Sequence, residues 1–467
     1  MLDSRLLEFN FNKLNLIIFF VGVCLNVFAY LSMLPVVAAG LYYCASFFAI
    51  KCLRLCGDLE LKMFSRMYCI GWMAAGIAAV YVCYFNDEGQ LFSDAGGFFD
   101  LASGQSSSLS IIEIQQIYGG PLAILIWANV YDFFAMIGFP RSRYIGILLN
   151  VALVSLAALI TLKMARIVFP DDSYRLNRLI LLFPASGLIW LFAGIHVRDA
   201  FALFIVSLLG YAWLTFLSYP RLKRNLVLII CANFVASFLL GFVRTDFIFV
   251  PIAMALAAIV AWLFCIDNNK NKKIIRVIVV IILALIFVSL YDFVEEVISI
   301  LSSGKEGYAE LVASEHGSDS LGVSLIINQS LPIRLVLASA YLFVFPIPFW
   351  VGFQLDSAYS LFKTLNVIFF YFVLPLVLMA VWRIYRIPQV RSLTLTFVVI
   401  LSIGFTMVVA GTSMETRHLG AFLPYVFLLA ILPDLRGKQN FDSYKRILIS
   451  FLLLILLIHL SWAIIKN

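Results

Sequence analysis

Residues 121–163 read PLAILIWANVYDFFAMIGFPRSRYIGILLNVALVSLAALITLK. Both halves of this stretch, 121–139 and 145–163, are apolar, yet charge allows only one of them to cross a bilayer. Upstream, residues 86–140 carry Asp87, Glu88, Asp94, Asp100, Glu113 and Asp132 and no Lys or Arg. Downstream come Lys163, Arg166, Arg175 and Arg178. Basic loops stay on the cytoplasmic side, so an odd number of crossings separates the two regions. The segment 145–163 is unbroken, whereas 121–139 contains Asn129 and Asp132 and opens on Gly119-Gly120-Pro121. The second half is therefore expected to cross, and the first to lie as an amphipathic helix on the outer surface.

The rest of the chain has the same character. Of 467 residues, 63% are hydrophobic and 13% charged, and mean hydropathy is +1.02. Soluble domains hold about 45–50% apolar and about 25% charged residues. A soluble enzyme, a disordered protein and a nucleic-acid binder are excluded, despite the net charge of +7. Stretches long enough to span, about 17–25 residues, lie at 14–30, 33–50, 67–85, 145–163, 179–195, 200–217, 226–243, 247–265, 277–291, 335–354, 367–382, 393–411, 420–434 and 447–464. The first is read as a retained helix, since it lacks a small-residue cleavage site. Basic loops at 51–66, 163–178, 221–224, 270–276, 383–391 and 436–446 fall inside, and the acidic loops 86–143 and 292–334 fall outside. Parity then requires a re-entrant segment near 335–354, where Pro346 and Pro348 interrupt the run. The expected fold is an all-α polytopic membrane protein with about 13 transmembrane helices and an outer-face loop domain containing amphipathic helices. Its expected parts are a hairpin and cytoplasmic loop (1–66), a core (67–291), a second outer loop (292–334) and carboxy-terminal helices (335–467). The eight cysteines lie in or beside apolar segments, which implies no disulfide framework. Cys52 and Cys56 have no histidine nearby and make a poor zinc site.

Charges at membrane depth are costly and mark functional sites. Four places qualify, and all four fall on the outer side. The first is Asp94, which shares one helical face with Phe98 and Ala102. The others are His196-Val197-Arg198-Asp199, Arg244-Thr245-Asp246 and Met414-Glu415-Thr416-Arg417-His418. Helix capping by Asp94 and plain polar turns elsewhere stand beside the functional reading. His316 and His459 are read as structural. Together, guanidinium forks that match phosphate and carboxylates able to accept a hydroxyl proton suit sugar transfer from a lipid phosphate.

In order and spacing, residues 67–434 resemble the GT-C superfamily of integral-membrane glycosyltransferases. Asp94, Phe98 and Ala102 look like the family's first-loop pattern. The run from Gly120 and Pro121 to Gly138, with Arg143 after it, is similar to its outer surface helix. Pro184 before Asp199, then Arg244, and last the turn Glu415-Thr416-Arg417-His418-Leu419-Gly420-Ala421-Phe422-Leu423-Pro424 follow the family's order. His418 stands where the family has an aromatic, and no paired-acid motif occurs in the first loop. The resemblance implies Asp94 and Asp199 as catalytic, with Arg198, Arg244, Glu415, Arg417 and His418 binding substrate. It also implies a polyprenyl-phosphate-linked sugar donor, a glycan or glycolipid acceptor in the cell envelope, and a site facing the exterior of a bacterial inner membrane. Asp199 as a metal ligand leaves a divalent cation open as cofactor. An O-antigen or capsule repeat-unit polymerase is the nearest alternative, although such enzymes favour basic outer loops. A transporter or lipid-linked oligosaccharide flippase is the rival class, but would place its charges near the midplane and show repeated halves.

Overall fold

The computed structural model describes residues 4–52, 57–85, 93–104, 120–219, 223–265, 326, 329–345, 349–353, 357–387, 392–411 and 415–466. Among these residues all regular structure is helical. Among the described residues, ten helices are long and apolar enough to cross a membrane, or eleven if a bent pair counts as one. The chain is therefore a multi-pass membrane protein. The expected span at 277–291 and the second outer loop up to residue 325 lie outside the described residues, as do Cys56, Gly119, Pro346, Pro348 and Met414.

Arg143–Val168 is the central post and the most buried of the crossing helices. Its Leu, Ile and Ala run contains no proline and stops at Phe169, just before Pro170. Asp58–Tyr84, Asp199–Ser218 and Gly187–Gly194 pack around it.

Asp58–Tyr84 begins nine residues ahead of the expected span at 67. Lys62 and Arg66, assigned to a cytoplasmic loop, are inside the helix, and Arg66 is buried. The cause is local: Glu60 Oε2 accepts the Gly57 N–H at 3.1 Å, and its other oxygen pairs with Arg166 at 2.7 Å. Those bonds let a charged first turn extend an apolar helix. The boundary drawn between 66 and 67 thus falls inside one helix. The amino-terminal hairpin is also continuous with the core. Ser4–Tyr30 lies along Asp58–Tyr84, where Asn26 Nδ2 donates to Gly22 O (2.9 Å) and to Trp72 O (3.3 Å). Tyr84 donates to Phe28 O at 2.8 Å.

The stretch expected as one span at 179–195 is broken. Ser173–Leu182 leads through the short turn Phe183–Ala185 into Gly187–Gly194, with a 59° bend. Pro184 has no N–H to continue the helix. Asn366 Oδ1, from Ala358–Arg386, accepts the Ser186 hydroxyl at 2.8 Å and the Leu188 N–H at 3.3 Å. Leu331–Val344 ends at Phe345, ahead of the predicted proline break.

Leu122–Met136 has 15 residues, about 22 Å at 1.5 Å per residue, short of a hydrocarbon core about 30 Å thick. Ala123, Ile124, Trp127, Tyr131 and Phe134 are buried, while Phe133 and Met136 are exposed. One face is thus packed on the protein, and the other mixes Asn129 and Asp132 with Phe133 and Met136.

Candidate functional site

The ends of several helices meet at one pole of the bundle. Asp94 lies in the first turn of Ser93–Ala102, Asp199 opens Asp199–Ser218, and Arg244 directly follows Lys223–Val243. Glu415 caps the short helix Thr416–Leu419, which holds Arg417 and His418. At the opposite pole, Arg175 Nε donates to Leu432 O at 2.9 Å, Arg178 Nη2 donates to Ala430 O at 3.1 Å, and Arg436 pairs with Asp434 at 2.6 Å. The basic clusters and the mixed-charge turns thus occupy different ends of the same helices.

At the mixed-charge pole, acids and arginines alternate in space. Arg417 Nη1 is 3.4 Å from Asp94 Oδ2, and its Nε is 3.9 Å from Asp199 Oδ2. Arg244 Nη1 is 3.3 Å from Asp199 Oδ1. Arg244 also grips Asp246 with two prongs, Nε to Oδ1 and Nη2 to Oδ2, both at 3.1 Å. The order in space is Asp94, Arg417, Asp199, Arg244, Asp246, drawn from four separate segments. The Asp199 side chain is 5% exposed and that of Asp94 is 41% exposed. Asp199 is a buried bridge between two guanidiniums, whereas Asp94 is within reach of solvent and of an incoming molecule.

Glu415 anchors a neighbouring group. Its Oε1 accepts the Tyr359 hydroxyl at 2.7 Å and the Arg417 N–H at 3.3 Å, and Lys363 Nζ stands 3.3 Å away. Burial alone would raise this carboxyl, but Lys363, Arg417 and the Tyr359 hydroxyl outweigh it and bring it down to about 2. Its contribution to stability is complete above the ordinary carboxylate range and is lost only as pH falls toward about 2. Glu415 is thus a fixed charge and not a proton carrier near neutral pH. Burial, reinforced by Arg244, Arg417 and Arg198, holds His418 well below its ordinary value, so its imidazole is neutral among the arginines. The Arg198 guanidinium lies 5.4 Å from the centre of the Phe98 ring, a cation–π distance. That contact joins the second predicted turn to the Asp94 helix.

The turn that aims Arg198 and Asp199 is held from behind. Asn150 Nδ2 donates to Ile195 O at 3.0 Å and to Val197 O at 2.9 Å. His196 stacks on Trp127 at 3.9 Å, and its Nε2 lies 3.0 Å from the Tyr131 hydroxyl. Gly146 makes room, because a Cβ there would come within 2.4 Å of both His196 Nε2 and Tyr131 Oη. Burial first, and then Arg143, push His196 down to about 3, so it is neutral and structural. Gly120 seats the start of Leu122–Met136 against the end of Lys223–Val243: a Cβ would stand 2.4 Å from Val243 O. Asn150→Ala is expected to lower stability by about 1–3 kcal/mol, because the Val197 carbonyl loses the Asn150 amide and Ile195 O keeps only the Val197 N–H. Thermal unfolding in detergent reads this, and an unchanged midpoint would mean the turn is held by other means.

All seven predicted site residues lie at this pole. Lys363, Tyr359 and Asp246 were not among them. Lys363 left a usable signal: it is the one basic residue between Arg334 and Arg383. Among the described residues, no cluster of three or more His, Cys, Asp or Glu is arranged to hold a metal ion. No family model, curated protein or solved structure matches the chain.

Proposed function

We propose that the protein is a membrane glycosyltransferase. It moves a sugar from a polyprenyl-phosphate donor to a glycan or glycolipid acceptor at the outer face of a bacterial inner membrane. The observation that carries this reading is the row Asp94, Arg417, Asp199, Arg244 at the ends of apolar helices. Arg417 and Arg244 hold the carrier phosphate, for which the planar guanidinium is well shaped. Asp199 spaces the two arginines. The acceptor hydroxyl attacks the anomeric carbon, and the bond from that carbon to the phosphate oxygen breaks. Asp94 takes the hydroxyl proton, and the released phosphate keeps the bonding electrons beside the arginines. Placement of the charges at helix ends supports an enzyme over a transporter, whose coupling groups sit near the bilayer midplane.

Purified protein mixed with polyprenyl-phosphate hexose and pentose donors should release polyprenyl phosphate in an acceptor-dependent reaction. Failure to consume any such donor with envelope glycolipids present would remove the reading. Sidedness has its own test. Ser142→Cys, in a background lacking the native cysteines, should react with an impermeant thiol reagent from outside intact cells. Labelling only from the cytoplasm would invert the topology.

A further inference from the structure

We propose that the protein carries a binding site for an anionic phospholipid at the basic pole, separate from the charged row. A groove of about 1160 Å³ runs between Ala358–Arg386, Leu393–Gly411 and Leu423–Ile431. Leu374, Leu378, Ile403, Met407 and Val426 line its length. At one end stand Arg383, Arg386 and Arg446, together with Trp382 and Tyr385, which are 58% and 72% exposed. Arg386 lies over the Trp382 ring at 4.5 Å, and Arg383 donates to Asn440. Among the described residues no carboxylate pairs with Arg386 or Arg446, and both are exposed.

Three features select the occupant. The walls are apolar along helices that cross the membrane, so a hydrocarbon chain fits and a soluble ligand does not. Three arginines at the mouth suit one phosphodiester, and the aromatic pair beside them marks headgroup depth. Length decides between lipids. From Leu374 to Arg386 is about 18 Å at 1.5 Å per residue, little more than half of a hydrocarbon core about 30 Å thick. That matches a phospholipid of one leaflet and is too short for a polyprenyl chain. Lys363 and Arg383 are twenty residues apart on one helix, about 30 Å, so this site does not overlap the charged row.

The test uses the full chain in detergent, titrated with dioleoyl phosphatidylglycerol or dioleoyl phosphatidylcholine and read by native mass spectrometry. The wild type should retain the anionic lipid in preference. Arg386→Gln with Arg446→Gln should weaken phosphatidylglycerol by about 30-fold, roughly fivefold for each basic group near a headgroup, and leave phosphatidylcholine unchanged. Lys438→Gln with Lys445→Gln changes charge at the same pole without touching the groove and should keep the preference. Met407→Trp should fill the groove and abolish retention of either lipid. Equal losses in the two charge pairs, or full phosphatidylglycerol binding in Met407→Trp, would overturn the site. Retention of polyprenyl phosphate that Met407→Trp abolishes, or displacement of the lipid by excess inorganic phosphate, would overturn the occupant.

Discussion

If the protein is the glycosyltransferase proposed, Asp94→Asn is expected to lower sugar transfer by about 10²–10⁴-fold, the usual contribution of base catalysis, while the protein still assembles in the membrane. Asparagine keeps the size of the side chain and can still cap a helix, so a purely structural Asp94 predicts near-normal turnover. The geometry sharpens the expectation. Among the acids of the row from Asp94 to Asp199, Asp94 is the one open to solvent, and its tie to Arg417 is long, at 3.4 Å. Such a contact can be exchanged for a substrate at small cost. Asp100→Asn is the control. Asp100 stands six positions on, near the opposite face of a helix with 3.6 residues per turn, and its backbone carbonyl accepts from Ser103. It should keep most of its activity. Initial rates with saturating donor, together with membrane-fraction yield, separate lost chemistry from lost folding. Full activity of Asp94→Asn together with loss in Asp199→Asn would move the base to the second turn. Full activity of both would leave the glycosyltransferase reading without its chemistry.

The second large effect is expected at the arginines. Arg417→Lys and Arg244→Lys should each lower turnover by roughly 10–100-fold, the loss expected when one charge-assisted hydrogen bond disappears. Charge is conserved in both, so the effect isolates geometry. Arg417 reaches Asp94 with one part of its fork and Asp199 with another. Arg244 spans Asp199 and Asp246. A single ammonium cannot reach two carboxylates on opposite sides in either case. The paired variant is read by donor KM and kcat separately: a raised KM marks lost phosphate binding, and a lowered kcat marks lost alignment. Wild-type constants would take both residues out of the site.

Much of the arrangement was readable from the residues. Composition pointed to a multi-pass membrane protein, and an arginine at the expected outer end of an apolar run is conspicuous because it opposes the charge rule. What escaped reading depends on partners far along the chain. Tyr359 and Lys363 belong with Glu415, 56 and 52 residues away, and their span was drawn from 367, just beyond Lys363. The bend at Pro184 looked like a continuous span because its replacement acceptor, Asn366, lies 180 residues further on. Asp58–Tyr84 was trimmed for a different reason. A hydropathy window stops at charged residues, whereas a helix stops where its backbone bonds run out. The Glu60 contact with Gly57 carries the helix through Lys62 and Arg66.

The way the first helix is paired bears on how the chain is made. Ser4–Tyr30 is followed at once by Leu34–Cys52, yet its polar contacts, through Asn26 and Phe28, are to Asp58–Tyr84. During synthesis the amino-terminal segments reach the bilayer first. The Asn26 amide then waits in lipid with only the Gly22 carbonyl of its own helix. Its second acceptor, Trp72 O, arrives only with the third helix. Insertion of the first two helices therefore yields a competent but unlocked pair, and arrival of the third closes it. A released chain ending before residue 58 should be cleared by membrane proteases faster than one ending after residue 84, although both carry the same first two segments.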